Sequence, residues 1–221
     1  MVTTASKSMR LFILGATGGT GLQLVDQALK RQHRVTAFVR TPHKLGAPRE
    51  GLTVIQGDLL NAEAVGAALA GHDAVLSAMG PPGPGRTTIA GDSARATAAA
   101  MRATGVRRLL VVGVAVLFDD AGIFARVLRK TLLRNVANDS AEMEVIVKAS
   151  NLDWTIVRPP RLTNGPLTER YGVVDDHLPL GAGGTATVSR ADVAHFMLDE
   201  VEHPAHLQRV VGIAYTKSAK R

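Results

Sequence analysis

Apolar runs of strand length alternate with segments of helical periodicity along almost the whole chain. The strand-like runs cover residues 10–14, 35–39, 52–56, 73–79, 108–116, 154–159 and 208–214, with a short run before Ser189. The helix-like segments place apolar residues three or four positions apart and cover residues 20–31, 61–70, 92–104, 139–150 and 190–201. This alternation predicts an α/β fold with a single doubly wound parallel sheet, helices on both faces and right-handed crossovers.

Length and composition favour one domain. The chain has 221 residues, of which 46% are hydrophobic and 20% are charged, as is ordinary for a soluble α/β domain with a large core. We expect a flexible N-terminal tail over residues 1–8, one domain over residues 9–215 and a basic tail over residues 216–221. Within the domain, the C-terminal part would form a small substrate region.

A glycine-rich turn follows the first strand-like run. Residues 12–25 read FILGATGGTGLQLV, with four glycines in seven positions between a strand and a helix. Gly15 would allow a sharp exit from the strand, Gly18 would let a pyrophosphate approach the backbone, and Gly21 would let the helix pack closely. The free N–H groups of the helix N-terminus would face the phosphates. The turn therefore predicts a Rossmann-like dinucleotide site rather than a tight turn alone.

The end of the second strand indicates which dinucleotide binds. An NAD site has an acidic residue there that accepts hydrogen bonds from the ribose 2′-hydroxyl, whereas this chain reads FVRTPHK. Arg40 occupies the acidic position, Lys44 follows closely, and a guanidinium matches a 2′-phosphate. We therefore expect NADPH as the cofactor, the alternative being that Arg40 is only a surface cation.

Two further positions near the expected site have alternative interpretations. Asp58 follows the third strand, where its carboxylate could bond the adenine amine, although capping of the next turn is the simpler role. The stretch GPPGPGR (80–86) follows the fourth strand at the carboxyl edge of the sheet, where α/β folds bind ligands. It is either part of that site or a plain connecting loop.

The net charge of +7 is partly concentrated in two places. The tail KSAKR supplies three positive charges, and Arg126, Lys130 and Arg134 would share one face of a helix over residues 123–134. That face is either a solvated surface or attracts an anionic substrate or partner. The chain has only five Phe, two Tyr and one Trp, which argues against single-strand nucleic-acid binding. We therefore expect no nucleic-acid partner.

The absence of cysteine and the shortness of the apolar runs exclude several kinds of site and membrane segments. No cysteine occurs, which excludes disulfides, thiolate metal sites and a cysteine nucleophile. The longest apolar run, LLVVGVAVLF (109–118), is too short to span a bilayer, and the run LFIL behind Arg10 is broken by the glycine turn, unlike a signal peptide. No histidine and carboxylate set has metal spacing. We therefore expect a cytoplasmic protein without a metal or a membrane partner.

Six segments taken in order resemble one protein family. They are GATGGTG, VRTPHK, GDLLNAEAV, DAVLSAMG, LDWTIVRPP and SRADVAHFMLDEV. Together they resemble the atypical short-chain dehydrogenase/reductases of the NmrA-like branch, closest to its biliverdin-IXβ reductase and NADPH flavin reductase group. The resemblance runs from about Met9 to Tyr215 and implies a Rossmann fold that binds NADP.

The resemblance also implies roles for residues along the carboxyl edge of the sheet. Cofactor contacts are implied for the turn residues Gly15, Thr17, Gly18, Gly19, Thr20 and Gly21, for Arg40 and Lys44 at the 2′-phosphate, and for Asp58 and Leu59 at the adenine. They are further implied for Ala78, Met79 and Gly80 along the ribose, and for Val112, Gly113, Val114, Pro159 and Pro160 at the nicotinamide. Val114, Leu117, Phe118 and Arg161 would border the acceptor, and Asp192 would be structural.

Catalytic positions of the wider family are absent. The usual tyrosine, with a lysine four residues later, is replaced by Val136 and Ser140. In the flavin-reductase-like group, a serine near the nicotinamide becomes Val114 and a histidine after the double proline becomes Arg161. We therefore do not expect alcohol–ketone interconversion by the tyrosine mechanism.

These observations together predict an NADPH-dependent reductase that transfers hydride to a planar conjugated acceptor, such as a flavin, a tetrapyrrole or a quinone-like compound. Any flavin would be a substrate rather than a prosthetic group. Arg161, the one candidate for a catalytic side chain, would hold an acidic group of the acceptor or else form a structural ion pair. Glu144 and Lys148 have the spacing of a helix-surface pair. The alternative function is an NmrA-type NADP(H) sensor without turnover, and we expect a monomer or a weak homo-oligomer.

Overall fold

The computed structural model describes residues 7–80, 85–118, 131, 133–179 and 186–216. Its strands are β1 Arg10–Leu14, β2 Arg34–Val39, β3 Leu52–Gln56, β4 Ala74–Ser77, β5 Arg108–Val112, β6 Asp153–Arg158, β7 Arg161–Thr163, β8 Gly172–Asp175, β9 Thr187–Ser189 and β10 Arg209–Ala214. Its α-helices are α1 Gly19–Lys30, α2 Ala62–Leu69, α3 Ile89–Thr104, α4 Arg134–Lys148 and α5 Arg190–Glu202. Two 3-10 turns cover Pro42–Leu45 and Ala115–Leu117.

Eight strands form one sheet in the order β3-β2-β1-β4-β5-β6-β10-β8, and β7 pairs with β9 in a separate small sheet. Neighbouring strands of the large sheet are parallel except for β10 and β8. The strand order reverses between β1 and β4, because the chain first runs outward to β3 and then returns to the other side of β1. Open α/β sheets bind ligands beyond the carboxyl ends of the strands at such a point. The predicted Rossmann-like fold is confirmed.

The side chains of β1 alternate between two separate cores. Leu11 and Ile13 pack with α1 and α5 on one face of the sheet, whereas Phe12 and Leu14 pack with α2, α3 and α4 on the other. All four side chains are fully buried. A strand that is covered on both faces requires a continuous apolar run, which is the pattern that the sequence shows.

Two helix N-caps lie at the carboxyl edge of the sheet. The Asn61 side chain accepts a hydrogen bond of 3.0 Å from the Ala64 N–H at the start of α2. The Ser189 hydroxyl accepts one of 2.9 Å from the Asp192 N–H at the start of α5. Each cap satisfies an N–H group that the helix itself leaves unpaired, so the caps fix where these helices begin.

The strand predicted over residues 108–116 is wrong in its second half. β5 ends at Val112, because β4, its partner on one side, has already ended at Ser77. Beyond that point the N–H groups of Gly113 and Ala115 still donate to the carbonyls of Val157 and Pro159, at 2.7 and 3.0 Å. An apolar run therefore indicates burial here without indicating a regular strand.

The sequence analysis also missed two short strands and misplaced two helix starts. β7 and β8 lack apolar runs of strand length, and β8 is held as an edge strand by its antiparallel pairing with β10. α3 begins at Ile89 and α4 at Arg134, a few residues before the predicted starts at 92 and 139. α4 begins with the polar residues Arg134 and Asn135, so its start shows little helical periodicity, whereas α3 begins with Ile89, Ala90 and Gly91, and a glycine is unfavourable inside a helix.

Some predictions concern residues outside the described ranges. They include most of the basic helix over residues 123–134, positions 81–84 of the loop at 80–86, and the tail at 217–221. Among the residues that the structure does describe, no helix is long and apolar enough to cross a membrane. In the same ranges, no group of three or more histidine, aspartate or glutamate residues could hold a metal ion.

Candidate cofactor and acceptor site

The glycine turn between β1 and α1 is shaped by close backbone contacts. Gly15 has a φ of +72°, and a Cβ added there would lie 2.6 Å from the carbonyl oxygen of Ala78. A Cβ added at Gly21 would overlap the carbonyl oxygen of Gly15. A side chain at either position would therefore displace backbone atoms, and the turn could not keep its shape.

The N-terminus of α1 faces this turn, and none of the described residues caps it with a side chain. Gly18, the N-cap, makes no side-chain hydrogen bond, and the first turn of the helix contains no acidic residue. Gly18 and Gly19 are exposed, Thr17 is half-buried and Thr20 is buried. Free N–H groups at the positive end of a helix suit phosphate oxygens. The turn therefore fits the diphosphate of a dinucleotide.

Two exposed cations follow β2 at the same edge of the sheet. Arg40 comes directly after the last residue of β2, and Lys44 lies in the 3-10 turn Pro42–Leu45. The carbonyl of Arg40 accepts a hydrogen bond of 3.4 Å from Gln56 Nε2. Within the described ranges, the guanidinium of Arg40 has no hydrogen-bond or ion-pair partner, so its donors are available to an anion.

Asp58 caps the turn after β3, which is the simpler of its two predicted roles. Its Oδ1 accepts a hydrogen bond of 3.0 Å from the Leu60 N–H, and its carbonyl accepts one of 3.1 Å from Asn61. The neighbouring Leu59 is only 6% exposed. The turn is therefore fixed locally and places both residues beside the end of β2.

The residues after β4 line the other side of the glycine turn. The N–H of Ala78 donates to the carbonyl of Leu14 at 3.0 Å, and the carbonyl of Ala78 is the atom that crowds Gly15. Ala78 and Met79 are half-buried and Gly80 is exposed. This segment therefore borders the point where the strand order reverses.

The segment after β5 lies against the segment after β6. Two backbone hydrogen bonds hold residues 112–114 beside Val157 and Pro159, as described above. Val112 and Val114 are half-buried, and Gly113 is buried between them. We call residues 112–114 with Pro159 and Pro160 the apolar platform, since neither segment contributes a titratable side chain.

A buried ion pair lies directly behind the apolar platform. Glu144 on α4 accepts hydrogen bonds of 2.8 and 2.7 Å from Nε and Nη2 of Arg158, and these side chains are 4% and 11% exposed. A Cβ added at Gly113 would lie 3.2 Å from Glu144 Oε1. Lys148 Nζ lies 3.2 Å from Glu144, so the expected pair exists. It is not a surface pair, however, because Glu144 is buried and is held mainly by Arg158.

The predicted acceptor residues differ in exposure. Phe118 is 3% exposed, and the guanidinium carbon of Arg158 lies 4.6 Å from its ring centroid, so Phe118 supports the platform from behind. Val114 and Leu117 are half-buried. Arg161 is exposed at the start of β7, and it forms no ion pair with any residue that the structure describes.

A cleft of about 590 Å³ opens between the starts of α3 and α4. Its lining residues are mostly polar, and they are Arg86, Thr87, Thr88, Arg134, Asn135, Asn138, Asp139 and Glu142. Asp139 caps the start of α3 and Glu142 bonds Arg95, so both carboxylates have internal partners. The guanidinium groups of Arg86 and Arg134 have no hydrogen-bond or ion-pair partner among the described residues. The cleft therefore presents two arginines whose guanidinium donors are available to an anion.

Asp192 organises the loop that leads to β8. Its carboxylate accepts hydrogen bonds from the N–H groups of Thr168 and Glu169 at 2.8 and 2.9 Å, and from the hydroxyls of Thr168, Ser189 and Tyr215. Burial alone would raise the pKa of Asp192, but these hydrogen bonds, first that of Tyr215, outweigh burial and lower it. All of these partners belong to the chain itself, in keeping with a structural role.

One arginine at the glycine turn was not predicted from the sequence. Arg190 begins α5, and a Cβ added at Gly19 would lie 2.6 Å from its Cδ. The Arg190 Nη1 donates to Asn164 Oδ1 at 2.7 Å. Nothing in the sequence around Arg190 indicates this contact, because it depends on how α5 packs against α1.

Comparisons with known proteins agree with this geometry. The sequence matches the family described as NAD(P)H-binding over residues 15–204. The uncharacterised protein YwnB of Bacillus subtilis is 30% identical over 206 residues, which are 90% of this chain and 94% of that protein.

Solved structures give the same result. A Rossmann-fold NAD(P)-binding family protein from Shigella flexneri is 26% identical, with a TM-score of 0.73 over 93% of this chain and 92% of that one. A candidate NADH-flavin reductase from Streptococcus pneumoniae is also 26% identical, with a TM-score of 0.77 over 95% of this chain and 100% of that one. The resemblance to flavin-reductase-like proteins is thereby confirmed, and the chain belongs to the NAD(P)H-binding family of Rossmann-fold proteins.

Proposed function

We propose that this protein uses NADPH to reduce a small, planar, conjugated acceptor, such as a flavin, a tetrapyrrole or a quinone-like compound. The observation that carries the proposal is the apolar platform, which is held by backbone hydrogen bonds and backed by the Glu144–Arg158 pair. A rigid apolar surface suits the stacking of two flat ring systems, for which the protein mainly supplies orientation. The name of the Streptococcus pneumoniae relative supports the same class of reaction.

NADPH is favoured over NADH by the charges after β2. Arg40 and Lys44 are exposed there, and no described carboxylate neutralises the Arg40 guanidinium. A guanidinium can bind a phosphate through two parallel hydrogen bonds, whereas the 2′-hydroxyl of NADH would need an acceptor. The pair would therefore hold the 2′-phosphate of NADPH.

The chemistry needs few protein groups. NADPH supplies the hydride when it is bound, and the proton that completes the reduction of a flavin can come from water. The platform residues would exclude water from one face of the stacked rings and fix their distance. Val136 and Ser140, which replace the tyrosine and lysine of the wider family, would therefore not prevent turnover.

An anionic group on the acceptor is supported by two sets of cations. Arg161 follows the platform directly and has no described ion-pair partner, and Arg86 and Arg134 line the cleft between the starts of α3 and α4. Carboxylates and phosphates are the groups that such guanidiniums bind best. Flavin mononucleotide and tetrapyrroles with propionate groups would satisfy this requirement.

The proposal is tested by following NADPH oxidation with flavin mononucleotide, riboflavin, biliverdin and simple quinones. We expect turnover with at least one of them. Since flavin mononucleotide differs from riboflavin by one phosphate, Arg161→Ala should lower kcat/KM for flavin mononucleotide by roughly tenfold or more and leave riboflavin unchanged. Arg170→Ala, a change of an exposed arginine on the loop that follows β7, is the control for a nonspecific charge effect.

A regulatory NADP(H) sensor is the second candidate, and the missing tyrosine and lysine favour it. A sensor would bind NADPH tightly and oxidise it with none of the three acceptor classes. That outcome would replace the reductase proposal, whereas the assignment of the cofactor site would stand.

A further inference from the structure

Arg190 lies across the start of α1 although it is supplied by the C-terminal part of the chain. A Cβ added at Gly19 would lie 2.6 Å from Cδ and 2.8 Å from Nε of Arg190. The stem of the arginine therefore rests directly on the bare backbone of the glycine turn. This approach is possible only because position 19 has no side chain.

The charges at this point are not balanced by the described residues. The N-terminus of α1 has neither a side-chain cap nor an acidic residue in its first turn. The guanidinium of Arg190 adds a full positive charge, and its one hydrogen-bond partner in the described ranges is the neutral amide oxygen of Asn164, at 2.7 Å. Two positive groups that meet without a carboxylate attract an anion to the space between them.

The N-terminus of α5 does not use the charge of Arg190 either. Asp192 lies in the first turn of α5, and its carboxylate is occupied by donors from Thr168, Glu169, Ser189 and Tyr215. A cation at the first position of a helix opposes the helix dipole, so Arg190 gains nothing from its own helix. Its side chain instead reaches across to Gly19 at the start of α1.

We infer that Arg190 binds the diphosphate of the cofactor, from the side opposite the N–H groups of α1, and that Asn164 orients its guanidinium. Of the five N–H donors on a guanidinium, the bond to Asn164 uses only one, so a fork remains for phosphate oxygens. The inference rests on the NAD(P)H binding of the family and does not depend on any acceptor.

The hydrogen bond between Arg190 and Asn164 connects the diphosphate site to the acceptor side. Asn164 directly follows β7, the short strand that begins with Arg161. Fixing Arg190 on a bound diphosphate would therefore also fix the end of β7, so that the cofactor orders the strand that carries the proposed acceptor ligand. Asn164→Ala should accordingly weaken NADP⁺ binding by less than a change of Arg190 itself.

The test compares two nucleotides that share the 2′-phosphate, one of which lacks the diphosphate together with the nicotinamide riboside attached to it. NADP⁺ carries the diphosphate and adenosine 2′-monophosphate does not, and both affinities can be measured by calorimetry. Arg190→Ala should weaken NADP⁺ binding by roughly 10- to 100-fold and leave adenosine 2′-monophosphate unchanged. Arg190→Lys should recover part of the loss, because it keeps the charge without the fork. Arg102→Ala, which removes an exposed arginine near the end of α3, should change neither affinity.

Two results would overturn the inference. One is an Arg190→Ala protein that binds NADP⁺ as tightly as the unchanged protein. The other is an equal loss for NADP⁺ and adenosine 2′-monophosphate, which would mean that Arg190 only packs α5 against α1. If Arg190→Ala does not fold, Arg190→Gln keeps part of the stem and a bond to Asn164, and the same two criteria apply. No acceptor is present in these binding measurements. They therefore test the role of Arg190 even if the protein does not reduce any acceptor.

Discussion

The two sides of the sheet edge are built in different ways. The cofactor side, from β1 to β4, is formed mainly by backbone: glycines without side chains, the free N–H groups of α1 and the carbonyl of Ala78. The acceptor side, from β5 to β9, is held by charged side chains, above all Glu144 with Arg158 and Asp192 with its donors. The glycines of the first arrangement lie within seven positions of one another, although the Ala78 carbonyl that crowds Gly15 follows β4. In the second arrangement, Glu144 and Arg158 are 14 positions apart, and Thr168 and Asp192 are 24 positions apart.

Because of this difference, we expect mutations on the two sides to affect different properties of the protein. Changes on the cofactor side should remove nucleotide binding, because they alter the surface that the phosphates meet. Changes on the acceptor side should first lower the free energy of unfolding, because they leave buried charges unpaired. Four substitutions, taken from the largest expected effect to the smallest, examine this separation.

Gly21→Ala should abolish nucleotide binding. Its new Cβ would overlap the carbonyl oxygen of Gly15, so the turn between β1 and α1 would have to move. We expect NADPH affinity to fall by more than about 100-fold, a loss of about 3 kcal/mol in binding free energy. Calorimetric titration measures it. Gly66→Ala on α2 is the matched control, since its Cβ would lie no closer than 3.8 Å to any other atom. NADPH binding that survives Gly21→Ala would contradict the role of the turn.

Glu144→Ala should destabilise the protein by about 3 kcal/mol or more, because it leaves the buried guanidinium of Arg158 without its carboxylate. Denaturant unfolding measures the change. Glu142→Ala is the control on the same helix: its side chain is 49% exposed and, among the described residues, pairs with exposed Arg95, so we expect a change below about 1 kcal/mol. Equal effects of the two substitutions would show that the ion pair behind the platform has no special importance.

Arg40→Asp should reverse the choice of nucleotide. It replaces a cation by a carboxylate that repels a 2′-phosphate and accepts hydrogen bonds from a 2′-hydroxyl. We expect NADPH affinity to fall by about 2 kcal/mol, and NADH affinity to rise or stay constant. Competition binding with both nucleotides measures the ratio. Arg34→Asp changes an exposed arginine at the opposite end of β2 and should leave the ratio unaltered.

Asp192→Asn should cost about 2 kcal/mol of unfolding free energy near neutral pH. The pKa of Asp192 is lowered in the folded protein, so the stability it contributes is present above the unfolded pKa and is lost as the pH falls through the folded one. The difference between Asp192→Asn and the unchanged protein should therefore shrink below about pH 4. Denaturant unfolding of both proteins across this pH range measures the difference. A difference that does not change with pH would mean that the charge of Asp192 does not stabilise the folded protein.

The comparison of the two sides also explains what the sequence could predict. Gly15, Gly21 and Arg40 lie within one strand–helix–strand unit, so their spacing alone indicates both the turn and the charge after β2. Arg158 and Glu144 form no recognisable motif, and the i,i+4 spacing of Glu144 and Lys148 pointed to the weaker of two partners. β8 and Arg190 are placed by tertiary packing, which local periodicity does not encode.

The proposed function requires that NADPH bound on the cofactor side delivers hydride to an acceptor held on the apolar platform. Mixing the protein, saturated with one equivalent of NADPH, with a flavin or another planar acceptor in the absence of oxygen tests this most directly. We expect NADPH to be oxidised in equal amount to the acceptor reduced, and more slowly when its transferred hydrogen is deuterium. Bound NADPH that remains unoxidised in the presence of every bound acceptor would contradict the proposed function.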